Sequence, residues 1–151
     1  LTGISENMAS DRMEKIEQLM SVTDLVMLDI KHINNEEHQH LTGQSNSNIL
    51  AFARYLDEKQ IPVWIRHVVV PSITDDETYL YRLGWFIGGL SNLKALDVLP
   101  YHTMGKAKYE KLGIPYRLED IPPMDRPTLL LKKQAILKGI KDRRNQQPGS
   151  L

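Results

Sequence analysis

The stretch Asp24–Lys31, with the sequence DLVMLDIK, is an apolar strand-like run that ends in charged residues. Two later stretches repeat the pattern: Ile61–His67, with the sequence IPVWIRH, and Leu93–His102, with the sequence LKALDVLPYH. Near-continuous apolar runs are typical of buried parallel strands. Parallel α/β folds place their ligand sites at the carboxyl ends of such strands. The three charged strand ends therefore predict three walls of one site.

Helical spacing of apolar residues fills the intervals between these runs. It predicts helices over about 11–21, 47–59, 75–90 and 125–143, alternating with strands over about 25–30, 62–69 and 93–99. Ser45 or Ser47 is the expected cap of the second helix. A strand every roughly 30 to 40 residues with a helix between is typical of the βαβ unit, which builds a parallel sheet with right-handed crossovers.

The remaining stretches are polar or rich in Gly and Pro. Residues 32–44 are predicted to be a loop with one helical turn, and residues 100–127 contain at most a short helix near 106–112. The first ten residues show no clear period and are interpreted as a flexible end or as residues of cloning origin. Residues 144–151 are expected to be a disordered tail.

The fold class is therefore α/β, with three parallel strands alternating with helices. Three strands alone would leave edge strands unpaired and apolar surface open. The economical interpretation is a fragment of a partial TIM-like (β/α) barrel, formed by residues 11–143, whose missing strands lie upstream of Leu1.

Composition excludes several classes of protein. The 151 residues suffice for one domain, and 19 basic residues balance 19 acidic ones, which gives no electrostatic reason to expect nucleic acid or a membrane surface as a partner. No apolar run reaches the roughly 20 residues of a membrane span, and no signal-peptide pattern opens the chain, so we expect a cytoplasmic protein. The chain has no cysteine, which excludes a cysteine-ligated iron–sulfur cluster within these residues.

Asp29 and Lys31 are two residues apart on the first strand and therefore share one face. An acid and a base beside a buried strand end need partners there. The two residues form either a ligand clamp, with Lys31 for an anionic group and Asp29 for a hydroxyl or amine, or a salt bridge at the end of the strand.

Arg66 and His102 end the other two strands. Arginine suits bidentate recognition of carboxylate or phosphate, but Arg66 can equally pair with a nearby carboxylate such as Asp29. His102 can donate to a ligand hydroxyl or carboxylate, or lie solvated in its loop. His67 points to the other face from Arg66 and is interpreted as structural or exposed.

No metal-ligand set and no catalytic motif is found. His38 and His40 form a His-x-His pair in a polar stretch without a third ligand in register, whereas a zinc site needs three or four ligands, so both are expected to be solvated. The chain also lacks a phosphate-binding glycine-rich loop and a nucleophile elbow.

Three spaced stretches, in this order, resemble the carboxyl-terminal half of the pyruvate formate-lyase activating enzyme family. The similarity runs from about Leu19 to about Gly139. It is carried by Asp24–Lys31, by Val63–Pro71, and by Leu99–His102 with Gly105-Lys106 and Lys108-Tyr109 following.

This resemblance implies a radical S-adenosylmethionine enzyme on a partial (β/α) barrel. In that family a [4Fe–4S] cluster reductively cleaves S-adenosylmethionine, and the radical formed takes a hydrogen atom from a glycine of a glycyl-radical enzyme, here implied to be pyruvate formate-lyase. Asp29 and Lys31 match the family's Asp-x-Lys motif, implied to help bind S-adenosylmethionine. Arg66 and His102 match positions implied to contact its methionyl and ribose parts or the bound substrate loop.

The chain departs from the family in lacking the Cys-x3-Cys-x2-Cys motif and the Gly-Gly-Glu segment. We therefore expect a domain that is inert alone and that self-associates through the open edge of its first strand. Two alternatives stay open. One is a non-catalytic module that docks a glycyl-radical enzyme, and the other is an unrelated α/β barrel fragment that binds a phosphorylated metabolite through Lys31 and Arg66.

Overall fold

The computed structural model describes residues 6–102 and 121–146, apart from the side chains of residues 6–9. The predicted alternation of helices and strands is confirmed, and the short helix expected near 106–112 lies outside the described residues. In chain order the elements are α1 (Glu6–Ser21), β1 (Val26–Asp29), α2 (Asn35–Thr42), α3 (Ser47–Glu58), β2 (Val63–Val69), α4 (Glu77–Gly88), β3 (Leu93–Pro100) and α5 (Arg126–Gln146).

The three strands form one parallel sheet in the order β1-β2-β3, which confirms the α/β class. Asp29 of β1 lies opposite Arg66 of β2, and Arg66 in turn lies opposite Asp97 of β3. The register between β2 and β3 shifts once, at Val63 and Trp64. Within the described residues, β1 and β3 are the edges of the sheet.

The helices cover one face of the sheet. Along β2, buried residues alternate strictly with half-buried ones, so Val63, Ile65 and Val69 face the core while Trp64 and Arg66 face away from it. The buried face joins the three helices that follow the strands in a single apolar cluster, whose members include Leu28, Ile30, Ala53, Leu56, Leu80, Leu83, Ile87, Ile136 and Ile140. The opposite face carries Arg66 and its register partners Asp29 and Asp97.

Glycines allow α4 and α5 to pack with their backbones in contact. A Cβ atom on Gly84 would lie 2.0 Å from the carbonyl oxygen of Ile136, and one on Gly139 would lie 2.2 Å from that of Tyr81. No real Cβ atom tolerates such distances from backbone. The close approach fixes the position of α5 against the rest of the domain.

The ends of the chain are more helical than the sequence predicted. α1 begins at Glu6 rather than near residue 11, because Glu, Met and Ala are good helix formers and extend it backwards. α5 continues to Gln146, so residues 144–146 belong to a helix and not to a disordered tail. Arg143 and Arg144 in its last turn favour this extension, because cations interact favourably with the carboxyl end of a helix.

The polar stretch predicted as a loop contains the full helix α2. The side chain of Asn34 accepts a hydrogen bond from the backbone N–H of Glu37 and caps its start, and Gly43 ends it with a φ of 78°. The cap of α3 also differs from the prediction. Asn46, not a serine, occupies that position, and its side-chain amide donates to the carbonyl oxygens of His32 and Ile33.

Across residues 6–102 and 121–146, the structure contains no helix with the length and apolarity required to span a membrane.

Candidate functional site

Asp29, Lys31 and Arg66 meet on the sheet face that the helices leave open, near the carboxyl ends of β1 and β2. The Nε atom of Arg66 donates to Oδ1 of Asp29 at 2.7 Å, and its Nη2 atom donates to Oδ2 at 3.3 Å. The Nζ atom of Lys31 donates to the same Oδ2 at 3.1 Å. The structure thus confirms the alternation that placed Asp29 and Lys31 on one face, and it joins them to Arg66.

The sequence left two interpretations of these residues open, a salt bridge at the strand end and a ligand clamp, and the observed geometry is compatible with both. The ion pairs considered for Asp29 with Lys31 and with Arg66 are present. The side chains are nevertheless 36–47% exposed, so the pairs lie where a ligand can reach them. The hydrogen bond from Arg66, and then that from Lys31, lowers the pKa of the Asp29 carboxyl against the opposing effect of burial. The same bond raises the pKa of Arg66.

Two cations around one carboxylate can act as a ligand clamp. Asp29 occupies one edge of the guanidinium, and arginine has five N–H donors, so donors of Arg66 remain for a carboxylate or phosphate. The ammonium of Lys31 adds further donors. Asp29 can in turn accept from a ligand hydroxyl or amine.

A groove opens beside Asp29 and Lys31. Its volume is about 840 Å³, within the range of small-molecule sites. Asp29 and Lys31 form one wall, and the other comes from the end of α2 and the start of α3, with the side chains of His38, Thr42, Gln44, Ser45, Ser47, Asn48 and Ile49. Hydroxyl and amide groups dominate this wall, so the groove offers hydrogen bonds in both directions.

Asp97 is a charged residue of this face that the sequence reasoning did not single out. It is half-buried on β3, in register with Arg66, so the two side chains project from the same side of the sheet. Its negative charge contributes to the raised pKa of Arg66. Asp97 was visible as a charged residue inside the third apolar run, but its position opposite Arg66 depends on the register between β2 and β3, which the sequence does not define.

His102 lies directly after β3 and Tyr101, at the same end of the sheet as Lys31, and it is exposed. The hydrogen bonds that define the charged cluster run among Asp29, Lys31 and Arg66. The structure therefore joins Asp29, Lys31 and Arg66 by hydrogen bonds and places the fourth predicted site residue, His102, at the same carboxyl end of the sheet.

The structure corrects the prediction for His38 and decides between the two alternatives for His67. His38 is buried, not solvated, because α2 folds it against the chain, where its Nδ1 atom lies 2.7 Å from the carbonyl oxygen of Gln44. His67 is 3% exposed, and its Nδ1 atom lies 2.7 Å from the carbonyl oxygen of Ile30. Burial lowers the pKa of His67 to about 4, so it is neutral and structural at neutral pH.

Within residues 6–102 and 121–146, no group of three or more His, Asp or Glu side chains is arranged to hold a metal ion.

Comparisons with known proteins place this geometry in context. No protein-family model matches the chain. The chain is 54% identical over 111 residues to the pyruvate formate-lyase-activating enzyme of Streptococcus mutans, a match that covers 74% of this chain and 42% of the relative. The enzymes of that name from Staphylococcus epidermidis and Listeria monocytogenes are 51% and 49% identical over 72% and 82% of this chain, and over 43% and 50% of their own lengths.

A solved structure of similar fold is available for comparison. It is a crystal structure of a domain of pyruvate-formate lyase-activating enzyme from Bacteroides vulgatus, with a TM-score of 0.67 at 19% identity, covering 83% of this chain and 69% of that one. The chain spans about half the length of the curated relatives it matches. By sequence, the chain belongs with the pyruvate formate-lyase-activating enzymes, of which it matches the carboxyl-terminal part.

Proposed function

We propose that this chain is the part of a glycyl-radical-enzyme activase that binds S-adenosylmethionine and the glycine-bearing substrate loop, with pyruvate formate-lyase as the substrate enzyme. The observation that carries the proposal is the cluster of Asp29, Lys31 and Arg66 on the open face of the sheet. The sequence supports the same proposal, because 49–54% of the aligned residues are identical to those of enzymes named pyruvate formate-lyase-activating enzyme.

The residues of the cluster fit S-adenosylmethionine. Its methionyl carboxylate can accept hydrogen bonds from the guanidinium of Arg66 and the ammonium of Lys31, and its amine or ribose hydroxyls can donate to the carboxylate of Asp29. The adjoining groove of about 840 Å³ can take a ligand of nucleoside size. His102 is proposed to contact the same ligand from the end of β3. When bound, the cofactor supplies the radical chemistry, and these residues hold and orient it.

The residues do not fit the [4Fe–4S] cluster. Such clusters are held by cysteine thiolates, and the chain has no cysteine. The cluster of the proposed activity therefore needs ligands from outside these 151 residues. We propose that the 151 residues alone are inert and that activity belongs to a protein that combines them with a cluster-binding segment.

The setting of this activity is also a proposal. A cytoplasmic location fits an activase whose substrate is another soluble enzyme. The balanced charge of the chain supports neither a nucleic acid nor a membrane surface as its partner. Among residues 6–102 and 121–146, no strand pairs with the outer edge of β1, and this supports contact with another protein segment, either the rest of the barrel or a second copy of the chain.

The proposal is tested with the complete gene product that contains this chain, purified without oxygen. We expect it to form 5′-deoxyadenosine from S-adenosylmethionine under reducing conditions. A protein that binds pyruvate formate-lyase but makes no 5′-deoxyadenosine would be a docking module instead. A protein that binds inorganic phosphate in competition with metabolites, and ignores S-adenosylmethionine, would support the phosphorylated-metabolite alternative.

A further inference from the structure

Arg66 lies between two aspartates. Asp29 on β1 and Asp97 on β3 are its register partners on either side, so the three charged residues form one row across the sheet. Neighbouring strands are about 4.8 Å apart, so the backbone positions of the two aspartates lie one strand away from Arg66 on either side. In the structure, the hydrogen bonds of Arg66 go to Asp29.

The carboxylate of Asp29 serves more than one donor. It accepts from both Arg66 and Lys31, with Oδ2 shared between them. A ligand amine or hydroxyl that binds Asp29 must compete with these donors. A second carboxylate beside Arg66 can then replace the charged hydrogen bond that the guanidinium loses.

We propose that Asp97 is this second acceptor, a positioning residue that shares Arg66 with Asp29 and holds its guanidinium over the site when a ligand occupies Asp29. The charge of Asp97 already acts on Arg66, since it contributes to the raised pKa of the guanidinium. The identity of the ligand rests on the function proposed above. The geometry does not, because it concerns only the side chains of Asp29, Arg66 and Asp97.

The proposal makes a prediction about the ligand-free chain that needs no activity. NMR titration of the Asp29 carboxyl is compared in the chain itself and in Asp97→Asn. Without Asp97, no second carboxylate attracts the guanidinium of Arg66 away from Asp29, so we expect the Asp29 titration to move to lower pH by roughly half a pH unit. Asp97→Glu should restore the original value. Asp24→Asn, an exposed carboxylate just before β1, is the matched control and should leave it unchanged.

A double-mutant cycle separates action through Arg66 from simple loss of a negative charge. Loss of charge alone shifts the Asp29 titration equally in the presence and absence of Arg66. Action through Arg66 requires the shift caused by Asp97→Asn to shrink by at least half in an Arg66→Met background, or in Arg66→Gln if that variant does not fold. Equal shifts in both backgrounds would overturn the proposal.

The same cycle in the complete activase tests the role in binding. Asp97→Asn should raise the KM for S-adenosylmethionine about 3- to 10-fold while changing kcat by less than about twofold, and it should add nothing in the Arg66→Met background. If the complete protein does not use S-adenosylmethionine, the proposed function fails while the titration cycle still decides the role of Asp97. A normal KM in an active Asp97→Asn enzyme would contradict the inference itself.

Discussion

Asp29 and Arg66 are joined across β1 and β2 by two hydrogen bonds of 2.7 and 3.3 Å, although 37 residues separate them in the chain. The pair is in register, so the backbone of the sheet presents both groups side by side. Because both side chains stay partly exposed, the pair is open to ligands and is not sealed in the core. The same arrangement of charges is therefore compatible with both the ion pair and the ligand clamp that the sequence suggested.

The contact between α4 and α5 makes one strong prediction about stability. Gly84→Ala should destabilise the chain by about 3 kcal/mol, because its new Cβ atom would lie 2.0 Å from the carbonyl oxygen of Ile136 and the helices must separate. Gly89→Ala is the control, since its Cβ would meet only the flexible end of Arg143. Urea unfolding measures both variants, and equal losses of stability would contradict this account of the helix contact.

Stability should fall as the pH drops from about 6.5 towards 4. The pKa of His67 is lowered to about 4 in the folded chain, so the unfolded state binds its proton first as the pH falls. Between pH 7 and pH 4.5, this difference in proton binding lowers the free energy of unfolding by on the order of 2 kcal/mol. The lowered pKa of His32, caused mainly by burial, acts in the same direction. The lowered pKa of Asp29 removes stability only at lower pH, below its ordinary value of 3.8.

Denaturant unfolding at pH 7 and pH 4.5 checks this dependence. In His67→Leu the loss of stability between the two pH values should shrink by more than half. If His67→Leu shows the parent's full pH dependence, the assignment to His67 is wrong.

The edge of β1 predicts self-association of the 151-residue chain. Met27 on this edge strand is 51% exposed, and Leu25, in the turn before it, is 43% exposed. Leu19 and Val22 nearby are 60% and 78% exposed. In the part of the chain that the structure describes, no strand pairs with the outer edge of β1, and such an apolar edge offers its N–H and C=O groups to a second copy. Light scattering at high concentration should show a dimer or larger species, and Met27→Lys should reduce it. A monomer at every concentration would count against the prediction.

Iron and sulfide should not assemble a cluster on these 151 residues. The chain has no cysteine, so anaerobic reconstitution should leave no bound iron and no visible charge-transfer absorption after desalting. The complete gene product, treated in parallel, is the control and should retain both. A stable cluster on the 151-residue chain would refute the assignment of the cluster ligands to another segment.

Patterns of apolar residues were enough to predict the sheet and the helices that cover it. Each strand is buried on at least one face, so its apolar run was visible, and charged strand ends placed Asp29, Lys31 and Arg66 at one edge. The helix α2 was missed because it is polar and short. Its Asn34-x-x-Glu37 start and its Gly43 end were nevertheless readable as capping signals.

Other features depended on contacts that no local pattern encodes. Whether Arg66 pairs with Asp29 depends on the register between β1 and β2, which only the folded sheet defines. The same holds for Asp97, whose relation to Arg66 requires the register between β2 and β3 after its shift at Val63. His38 was predicted to be solvated because its partner, the carbonyl of Gln44, lies next to it only in the folded helix α2.

Asp29, Lys31 and Arg66 are proposed to form the S-adenosylmethionine site of an activase. The most direct test is electron paramagnetic resonance of pyruvate formate-lyase after anaerobic incubation with the complete gene product, S-adenosylmethionine and a reductant. We predict a glycyl-radical signal with the parent protein and with Asp24→Asn. Asp29→Asn or Lys31→Met should form it about 10- to 100-fold more slowly at limiting S-adenosylmethionine, because each loses a charged hydrogen bond to the cofactor. Undiminished radical formation in both site variants would contradict the claim.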